Sequence, residues 1–242
     1  MRRIFLYILF FLFPIGCVKE IEVFNAKTPV SACMRLFSEM RLEGVVDYKA
    51  FEQAVTGYNR ITGKKKEIIT LIDFSKPSSE KRLYVLDMRN KKLLFVSHVS
   101  HGKNSGEKYA TSFSNVSGSL KSSLGFYMTE GTYEGKNGYS LVLEGLEKDI
   151  NDKAKERAIV MHGAAYSNPS VIAGSGRLGR SFGCPAVPQA LAKPIIDKIK
   201  GGALIYIYAD NPDYLEHSSI LEPNDILYFF NYQIKYVLLF VI

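Results

Sequence analysis

Ile68-Ile69-Thr70-Leu71-Ile72-Asp73-Phe74 begins a series of short apolar runs that are rich in β-branched residues. The next two runs cover residues 82–87 and 93–99, with the turn residues 89–91 between them. Runs of this length and composition predict β-strands. Further strand candidates lie at residues 125–129, 139–143, 158–161 and 203–208. Since glycine-rich loops separate these runs, the sequence predicts a mostly β domain, a sandwich or flattened barrel with a few helices.

A helical pattern precedes the strands and extends from Pro29 to about Lys65. Its apolar residues recur mostly every three or four positions, which predicts a short helical segment that packs rather than catalyses. Cys33 lies in this apolar stripe, and we interpret it as a core residue. A second helix is predicted within residues 189–200, where Pro194 fits best in the first turn or at a kink.

The N-terminus has the pattern of an export signal. Two arginines precede an apolar run, residues 4–15, which is too short for a membrane span of about 20 residues. This predicts a secretory signal peptide over residues 1–16 and a protein of the periplasm or cell envelope. Cys17 directly after Gly16 is a candidate for lipidation, although Pro14 stands where lipoprotein signals usually carry an aliphatic residue. Cleavage nearby without lipidation is the alternative.

The remaining chain divides into three predicted segments. Residues 17–66 form the helical N-terminal segment, residues 67–212 the β-rich catalytic domain, and residues 213–242 a tail of unassigned role. The end of the tail, residues 226–242, is apolar but interrupted by polar residues. An added edge strand and a docked helix are both compatible with this pattern.

The composition is that of a globular protein. Of the 242 residues, 47% are hydrophobic and 23% charged, which excludes disordered and collagen-like classes. The 31 Lys and Arg residues exceed the 24 Asp and Glu residues by seven, which favours an anionic partner. Because the positive charge is diffuse, it selects no partner class, and we expect no nucleic-acid partner.

Two short stretches carry the chemistry, His162-Gly163-Ala164 and Ser181-Phe182-Gly183-Cys184-Pro185. A cysteine thiol is a weak nucleophile until a base removes its proton, and imidazole is the usual base. Glycines beside both residues allow a substrate backbone to approach closely. The pair therefore predicts a cysteine acyl-transfer enzyme. A buried cysteine and a structural strand histidine are the non-catalytic alternative.

Two other patterns carry less weight. Gly174-Ser175-Gly176-Arg177-Leu178-Gly179 matches the dinucleotide fingerprint, but nearby prolines interrupt the helix that should follow it. His98 and His101 lie three residues apart, so on a strand they face opposite sides and cannot share one metal ion. We expect no metal and no cofactor. His101 precedes Gly102 at a strand end and is a candidate for lining a substrate cleft.

His-Gly followed by Ser-x-Gly-Cys resembles the YkuD-type L,D-transpeptidase family, which cross-links cell walls, and in particular its murein L,D-transpeptidase branch. The resemblance extends from about Ile68 to Asp210. It rests also on the stretches 73–78, 97–106, 122–127 and 180–186. The resemblance implies a β-rich catalytic domain acting on peptidoglycan stem peptides.

By resemblance, Cys184 attacks the carbonyl of an L-centre that precedes a D-residue, and His162 is its base. The Gly163 carbonyl orients the imidazole, while Ser181 and Gly183 shape the turn. The resulting thioester passes to the amine of a second stem. An L,D-carboxypeptidase would use water instead, and a non-catalytic wall-binding lipoprotein would keep only the fold.

The residues around Cys184 lead to two further expectations. Pro185 has no N–H, so the N–H groups of Gly183 and Cys184 are the natural oxyanion donors. Phe182 replaces the family's usual histidine, and Pro185-Ala186 replace an aliphatic–arginine pair. Arg177 and Arg180 are candidates to supply the missing cation for a substrate carboxylate. Otherwise they are solvated loop charges.

Overall fold

The computed structural model describes residues 31–222, and those from Ala32 onward belong to one compact unit. The predictions for the signal peptide, Cys17 and residues 226–242 lie outside the described residues. In chain order the elements are α1 Ala32–Glu39, α2 Tyr48–Arg60, β1 Ile68–Asp73, β2 Leu83–Asp87, β3 Lys92–Ser97, β4 Gly125–Gly135, β5 Gly138–Gly145, β6 Val160–Ala164, α3 Ser170–Ser175, β7 Ala186–Pro188, α4 Gln189–Ile199, β8 Leu204–Tyr208 and α5 Pro212–His217. Single 3-10 turns lie at Lys103–Ser105 and Ala165–Ser167.

All eight strands belong to one sheet, in the order β3-β2-β1-β8-β4-β5-β6-β7. Two neighbouring pairs are parallel, β1 with β8 and β6 with β7, and the other pairs are antiparallel. The two terminal strands approach each other, because Ser100 follows β3 and donates its N–H to the Ala186 carbonyl of β7 at 2.8 Å. The sheet is thus nearly closed, which confirms the predicted mostly β, flattened-barrel fold class.

Strands β1, β2 and β8 are buried along their whole length. Their sequences are almost continuous apolar runs, as expected for strands covered on both faces. Helices α2 and α4 pack against this part of the sheet, and both contribute side chains to the core. These three buried strands form the core of the sheet, and the less buried strands and loops extend from it.

Gly57 lets α2 approach the sheet closely. A Cβ atom at this position would lie only 2.1 Å from the Phe126 ring of β4. Phe126 in turn stacks on Tyr206 of β8, with ring centroids 4.2 Å apart. A glycine inside a helix costs about 1 kcal/mol relative to alanine, and here it makes room for the aromatic stack.

Glu147 ties α5 to the sheet. Its buried carboxylate accepts hydrogen bonds from the Phe126 N–H at 2.7 Å and the Tyr214 hydroxyl at 3.1 Å, and from the Ser218 hydroxyl. Burial raises the pKa of Glu147, and these donors oppose the rise. The first residues of the predicted tail, 213–222, are thus fastened to β4.

Three local expectations need correction. The helical pattern of residues 29–65 contains two helices, because the chain turns at Arg41 and Gly44, both of which have positive φ. Strand β6 begins at Val160 rather than at residue 158, since Ala158 has φ 51 and cannot extend a strand. The three-residue strand β7 was not predicted.

Pro194 lies sixth in α4, beyond the first turn, so of the two predicted positions, first turn or kink, the first is excluded. Because proline has no N–H, the carbonyl oxygen of the exposed Ala190, four residues earlier, lacks its usual helical donor. The fingerprint-like stretch starts in the last turn of α3, and Gly176 caps that helix with φ 69. The stretch closes a helix instead of opening one. Within residues 31–222, no helix is both long and apolar enough to cross a membrane.

Candidate active site

His162 lies in β6 with 4% of its surface exposed. Its Nδ1 is 3.0 Å from the Gly163 carbonyl oxygen, which only accepts hydrogen bonds, so Nδ1 carries the proton. The Nε2 atom is then the basic nitrogen. Burial lowers the pKa of His162, and the bond to Gly163 opposes this. The imidazole is therefore neutral near pH 7 and able to accept a proton.

Gly163 also allows α4 to pack closely against β6. A Cβ atom on Gly163 would lie 2.8 Å from the Ala192 side chain and 3.3 Å from the Gln189 Cα. Both neighbours belong to α4, which follows β7 directly. The glycine thus sets the spacing between the histidine strand and the helix.

Cys184 lies two residues before the start of β7 and is 8% exposed. Its Sγ is 3.7 Å from the Ala158 carbonyl oxygen, to which the thiol donates. Burial raises the pKa of the Cys184 thiol. The N–H groups of Val160 and Cys184 and the charge of Arg157 lower it without cancelling the rise. At rest the sulfur is therefore a protonated thiol.

The sheet places His162 in β6, next to β7, the strand that Cys184 precedes. His162 in β6 pairs with Ala186 in the parallel strand β7, and Cys184 lies two residues before Ala186. No hydrogen bond joins the imidazole to the thiol in this conformation, because the thiol contacts Ala158 instead. The predicted pair is thus adjacent in the fold but not yet in proton-transfer contact.

Ser181 organises the turn that carries Cys184. Its Oγ accepts the Gly183 N–H at 3.1 Å and donates to the Cys184 carbonyl at 2.6 Å. The Gly183 N–H is therefore occupied, and the expectation that it donates to an oxyanion is wrong for this conformation. Among residues 31–222, the Cys184 N–H donates to no carbonyl of another residue, and it lies near its own Sγ.

The main chain of this turn is fixed by residues that sequence reasoning missed. The Ser122 Oγ donates to the Gly183 carbonyl at 3.0 Å and accepts the Gly102 N–H at 3.0 Å. The Ser122 N–H itself donates to the buried Ser105 Oγ at 2.9 Å. A side chain at Gly183 is excluded, since its Cβ would lie 2.8 Å from Ile159 and φ is 131. Cys184 thus lies on a turn that is held by several buried hydrogen bonds.

Arg177 and Arg180 share one carboxylate. Their guanidinium groups lie 2.9 Å and 2.7 Å from the two oxygens of Glu107, and about a quarter of each side chain is exposed (26% and 24%). Arg180 also donates to the Lys103 carbonyl at 2.9 Å. They are paired residues, which corrects the expectation of solvated loop charges. Two cations on one carboxylate leave a net positive charge.

His101 does not line an open cleft, contrary to the expectation for it. The side chain is fully buried; Nδ1 accepts from Arg82 at 2.8 Å and Nε2 donates to the Gly106 carbonyl at 3.2 Å. Burial and the charge of Arg82 lower the pKa of His101 to about 4. The Ser181 N–H donates to the His101 carbonyl at 2.9 Å, so the main chain of His101 helps to hold the turn that carries Cys184.

Residues 42–208 match the family described as the L,D-transpeptidase catalytic domain, and this range is more than half of the chain. The chain belongs to the L,D-transpeptidase family. The match confirms the resemblance drawn from the sequence. It begins in the predicted helical segment, before α2, and it includes both His162 and Cys184. None of the curated proteins matches this L,D-transpeptidase chain.

Solved structures with similarity to this L,D-transpeptidase chain include two L,D-transpeptidases and one cell-shape determining protein. An L,D-transpeptidase from Mycobacterium smegmatis is 13% identical, with 59% of each chain covered and a TM-score of 0.38. The helical cell shape determining protein Pgp2 from Campylobacter jejuni is 14% identical, with 64% of this chain and 54% of that chain covered and a TM-score of 0.40. L,D-transpeptidase 3 from Mycobacterium tuberculosis is 10% identical, with 59% and 61% covered and a TM-score of 0.38. The chain thus spans about three-fifths of the length of these proteins.

Sequence reasoning about this L,D-transpeptidase domain also missed Arg157. The residue lies in the turn before β6, and Ala158 next to it accepts the Cys184 thiol. A Cβ on Gly183 would lie 3.4 Å from the Arg157 Nη2. The only sequence signal is its position five residues before His162, which does not distinguish it from the other cations of the chain.

Two aromatic side chains lie near Cys184 of the L,D-transpeptidase domain. Phe182 is 69% exposed, and the Lys103 ammonium lies 4.9 Å from its ring centroid. Burial raises the pKa of Tyr166 to about 12, and the charge of Cys184 adds to the rise. Within residues 31–222 there is no group of three or more His, Cys, Asp or Glu side chains placed to hold a metal ion.

Proposed function

We propose that this chain is an exported peptidoglycan L,D-transpeptidase in which Cys184 is the nucleophile and His162 the general base. The observation that carries the proposal is the placement of the two residues. His162 presents an unprotonated Nε2 from β6, and Cys184 precedes β7, the strand paired with β6. Membership of the L,D-transpeptidase catalytic domain family supports this reaction over other thiol chemistries.

Acylation begins when the Cys184 thiol leaves the Ala158 carbonyl and gives its proton to Nε2 of His162. Sγ then forms a bond to the stem-peptide carbonyl that precedes a D-residue. The carbon–nitrogen bond to that residue breaks, and the departing nitrogen takes the proton from His162. The remaining stem is held on Cys184 as a thioester.

Transfer reverses the order of the proton steps. The amine of a second stem attacks the thioester carbonyl and gives a proton to His162. The carbon–sulfur bond breaks, and Sγ recovers the proton. The Cys184 N–H is the donor that supports negative charge on the carbonyl oxygen in both steps, since Gly183 is occupied by Ser181.

The residues around the site fit an anionic peptide. Arg177 and Arg180 leave one uncompensated positive charge after pairing with Glu107. We propose that they attract the stem-peptide carboxylates, whereas His101 acts only through the turn that it supports. Phe182, exposed beside Cys184, offers an apolar surface for the stem.

Export and lipid anchoring belong to the same proposal. Peptidoglycan lies outside the cytoplasmic membrane, so the enzyme must reach that side. The arginine-led apolar run before Cys17 supports secretion, and Gly16-Cys17 supports a lipid anchor. Labelling cells with radioactive palmitate and comparing the intact chain with Cys17→Ser tests the anchor, because only the intact chain should be labelled.

Tetrapeptide-containing muropeptides test the reaction. Incubation with the purified protein, followed by mass analysis, should give cross-linked dimers. Trimmed monomers would show the L,D-carboxypeptidase reaction, and unchanged substrate would show a wall-binding protein without activity. Cys184→Ala should abolish product formation, whereas Cys33→Ala, which changes the other cysteine of the described residues, should not. Dimer formation by Cys184→Ala would overturn the assignment of the nucleophile.

A further inference from the structure

The guanidinium group of Arg157 binds residues 114–123, a segment that lies against the turn of Gly183 and Cys184. Its Nη1 donates to the Ser114 carbonyl at 2.7 Å and to the Ser123 Oγ at 2.6 Å. Its Nη2 donates to the Lys121 carbonyl at 2.6 Å and to the Ser119 Oγ at 3.3 Å. All four acceptors lie within residues 114–123, the segment that also supplies Ser122 to the Gly183 carbonyl.

Arg157 also lies close to Gly183, in the turn that carries Cys184. A Cβ added to Gly183 would meet the Arg157 Nη2 at 3.4 Å and the Lys121 carbonyl at 2.9 Å. Ala158, the next residue, accepts the Cys184 thiol at 3.7 Å. Arg157 thus lies between the 114–123 segment and the residues that carry the sulfur.

The charge of Arg157 is not neutralised by a carboxylate. Its four acceptors are two carbonyls and two hydroxyls, and among residues 31–222 no Asp or Glu forms an ion pair with it. Arg177 and Arg180 differ, since Glu107 pairs with both. The four terminal N–H groups of Arg157 are all occupied, so the end of the guanidinium is already used within the fold.

We propose that Arg157 is a positioning residue that holds a fixed positive charge against the Gly183–Cys184 turn and thereby stabilises the thiolate of Cys184. This inference rests on the proposed role of Cys184 as nucleophile.

Electrostatics supports this assignment. Of the cations among residues 31–222, Arg157 lowers the pKa of the Cys184 thiol by its charge, and the charge of Cys184 in turn acts to raise the pKa of Arg157. Burial is the largest cause of both shifts. It raises the pKa of the Cys184 thiol and lowers the pKa of the Arg157 guanidinium. Within the described residues, Arg157 before β6 and Tyr166 after it interact electrostatically with Cys184, and His162 lies in β6, next to the strand that Cys184 precedes.

The rate of iodoacetamide labelling at Cys184 measures the thiolate directly. It is followed from about pH 7 to about pH 11 by peptide-resolved mass spectrometry, which separates Cys184 from the other cysteines. Arg157→Gln should move the midpoint of the profile upward by about one pH unit, which is a roughly tenfold slower reaction below the midpoint. Arg157→Lys keeps the charge and should stay near the unsubstituted protein.

Lys153→Gln is the matched control, because it removes an exposed cation from the same turn. An Arg157→Gln profile equal to that of Lys153→Gln would overturn the inference. If Arg157→Gln does not fold, Arg157→Lys decides. An unchanged midpoint despite lower thermal stability supports the role of charge, and an upward move of about one pH unit refutes it.

Labelling needs no peptidoglycan, so the two proposals fail separately. A shifted midpoint in a protein that gives no product from muropeptides would leave the role of Arg157 intact and refute the transpeptidase assignment. An active enzyme with an unshifted midpoint would do the reverse.

Discussion

Nδ1 of His162 lies 3.0 Å from the carbonyl oxygen of the adjacent residue, Gly163. A backbone carbonyl here takes the place that a carboxylate holds in many catalytic triads, and it fixes the tautomer without adding a negative charge. The imidazole can therefore become protonated only at Nε2. Among residues 31–222 no Asp or Glu interacts with this ring to hold the imidazolium, so a proton accepted from the thiol is readily returned.

His162→Gln should reduce acylation of Cys184 by about 100-fold or more, because the thiol loses its proton acceptor. The acyl-enzyme is measured by the mass of the intact protein after rapid mixing with a tetrapeptide stem. His98→Gln is the control; that ring is half-buried and contacts the Ser79 carbonyl at 3.3 Å. An acylation rate in His162→Gln equal to that of the control would remove His162 from the mechanism.

The acylation rate should rise with pH and reach half of its plateau below 6.5, the ordinary pKa of histidine. Burial lowers the pKa of His162, so the imidazole stays neutral and basic at a more acid pH than usual. Single-turnover rates in buffers of matched ionic strength measure this midpoint. A midpoint above 6.5 would mean that the imidazolium is stabilised in the site.

Ser122→Ala should lower both stability and activity. It removes the hydroxyl that joins the Gly183 carbonyl to the Gly102 N–H, and two buried groups lose their partner at a cost of about 1–3 kcal/mol. Urea denaturation measures the loss. Ser175→Ala, which changes an exposed hydroxyl in α3, should remain within about 0.5 kcal/mol of the unsubstituted protein. Equal stabilities for the two variants would contradict the supporting role of Ser122.

Gly57→Ala should destabilise the fold by about 1–3 kcal/mol, despite the better helix propensity of alanine. The new Cβ would lie 2.1 Å from the Phe126 ring and force the α2 helix or the aromatic stack to move. Gly131→Ala is the control, because no atom lies within 4 Å of its added Cβ. A Gly57→Ala protein as stable as the control would show that α2 shifts at no cost.

His101 should make the fold less stable in mild acid. Its pKa is about 4 in the folded protein and 6.5 when unperturbed, so the unfolded chain binds more protons between these values. Stability therefore falls as pH decreases from 6.5 towards 4, by about 3 kcal/mol in total. His101→Asn keeps an acceptor for Arg82 and should weaken this pH dependence in urea titrations. An unchanged pH dependence would assign the effect to other groups.

Strands such as β1 and β8 could be predicted from the sequence, because their apolar runs are long and rich in β-branched residues. Strand β7 could not, since it has only three residues, follows Pro185 and ends in Pro188, and so carries no periodic signal. Its existence depends on pairing with β6 and on the bridge to Ser100, which are both long-range contacts.

The candidate site shows the same division. The motif spacing identifies His162 and Cys184, but the side-chain bond that occupies the Gly183 N–H exists only in the folded turn. Likewise, nothing in the sequence pairs Glu107 with Arg177 and Arg180, or places Arg157 beside Gly183. Which cations are neutralised is decided by residues far apart in the chain.

Strand β8 occupies the middle of the sheet although it is the last strand of the described chain. It separates the meander β1–β3 from the strands β4–β7, and it pairs with β1 on one side and β4 on the other. During synthesis, two half-sheets therefore emerge from the ribosome before the piece that unites them. A nascent chain that ends before Leu204 contains Cys184 and His162 but lacks β8, the strand that joins the two parts of the sheet. The single eight-stranded sheet therefore forms only after residues 204–208 have been added.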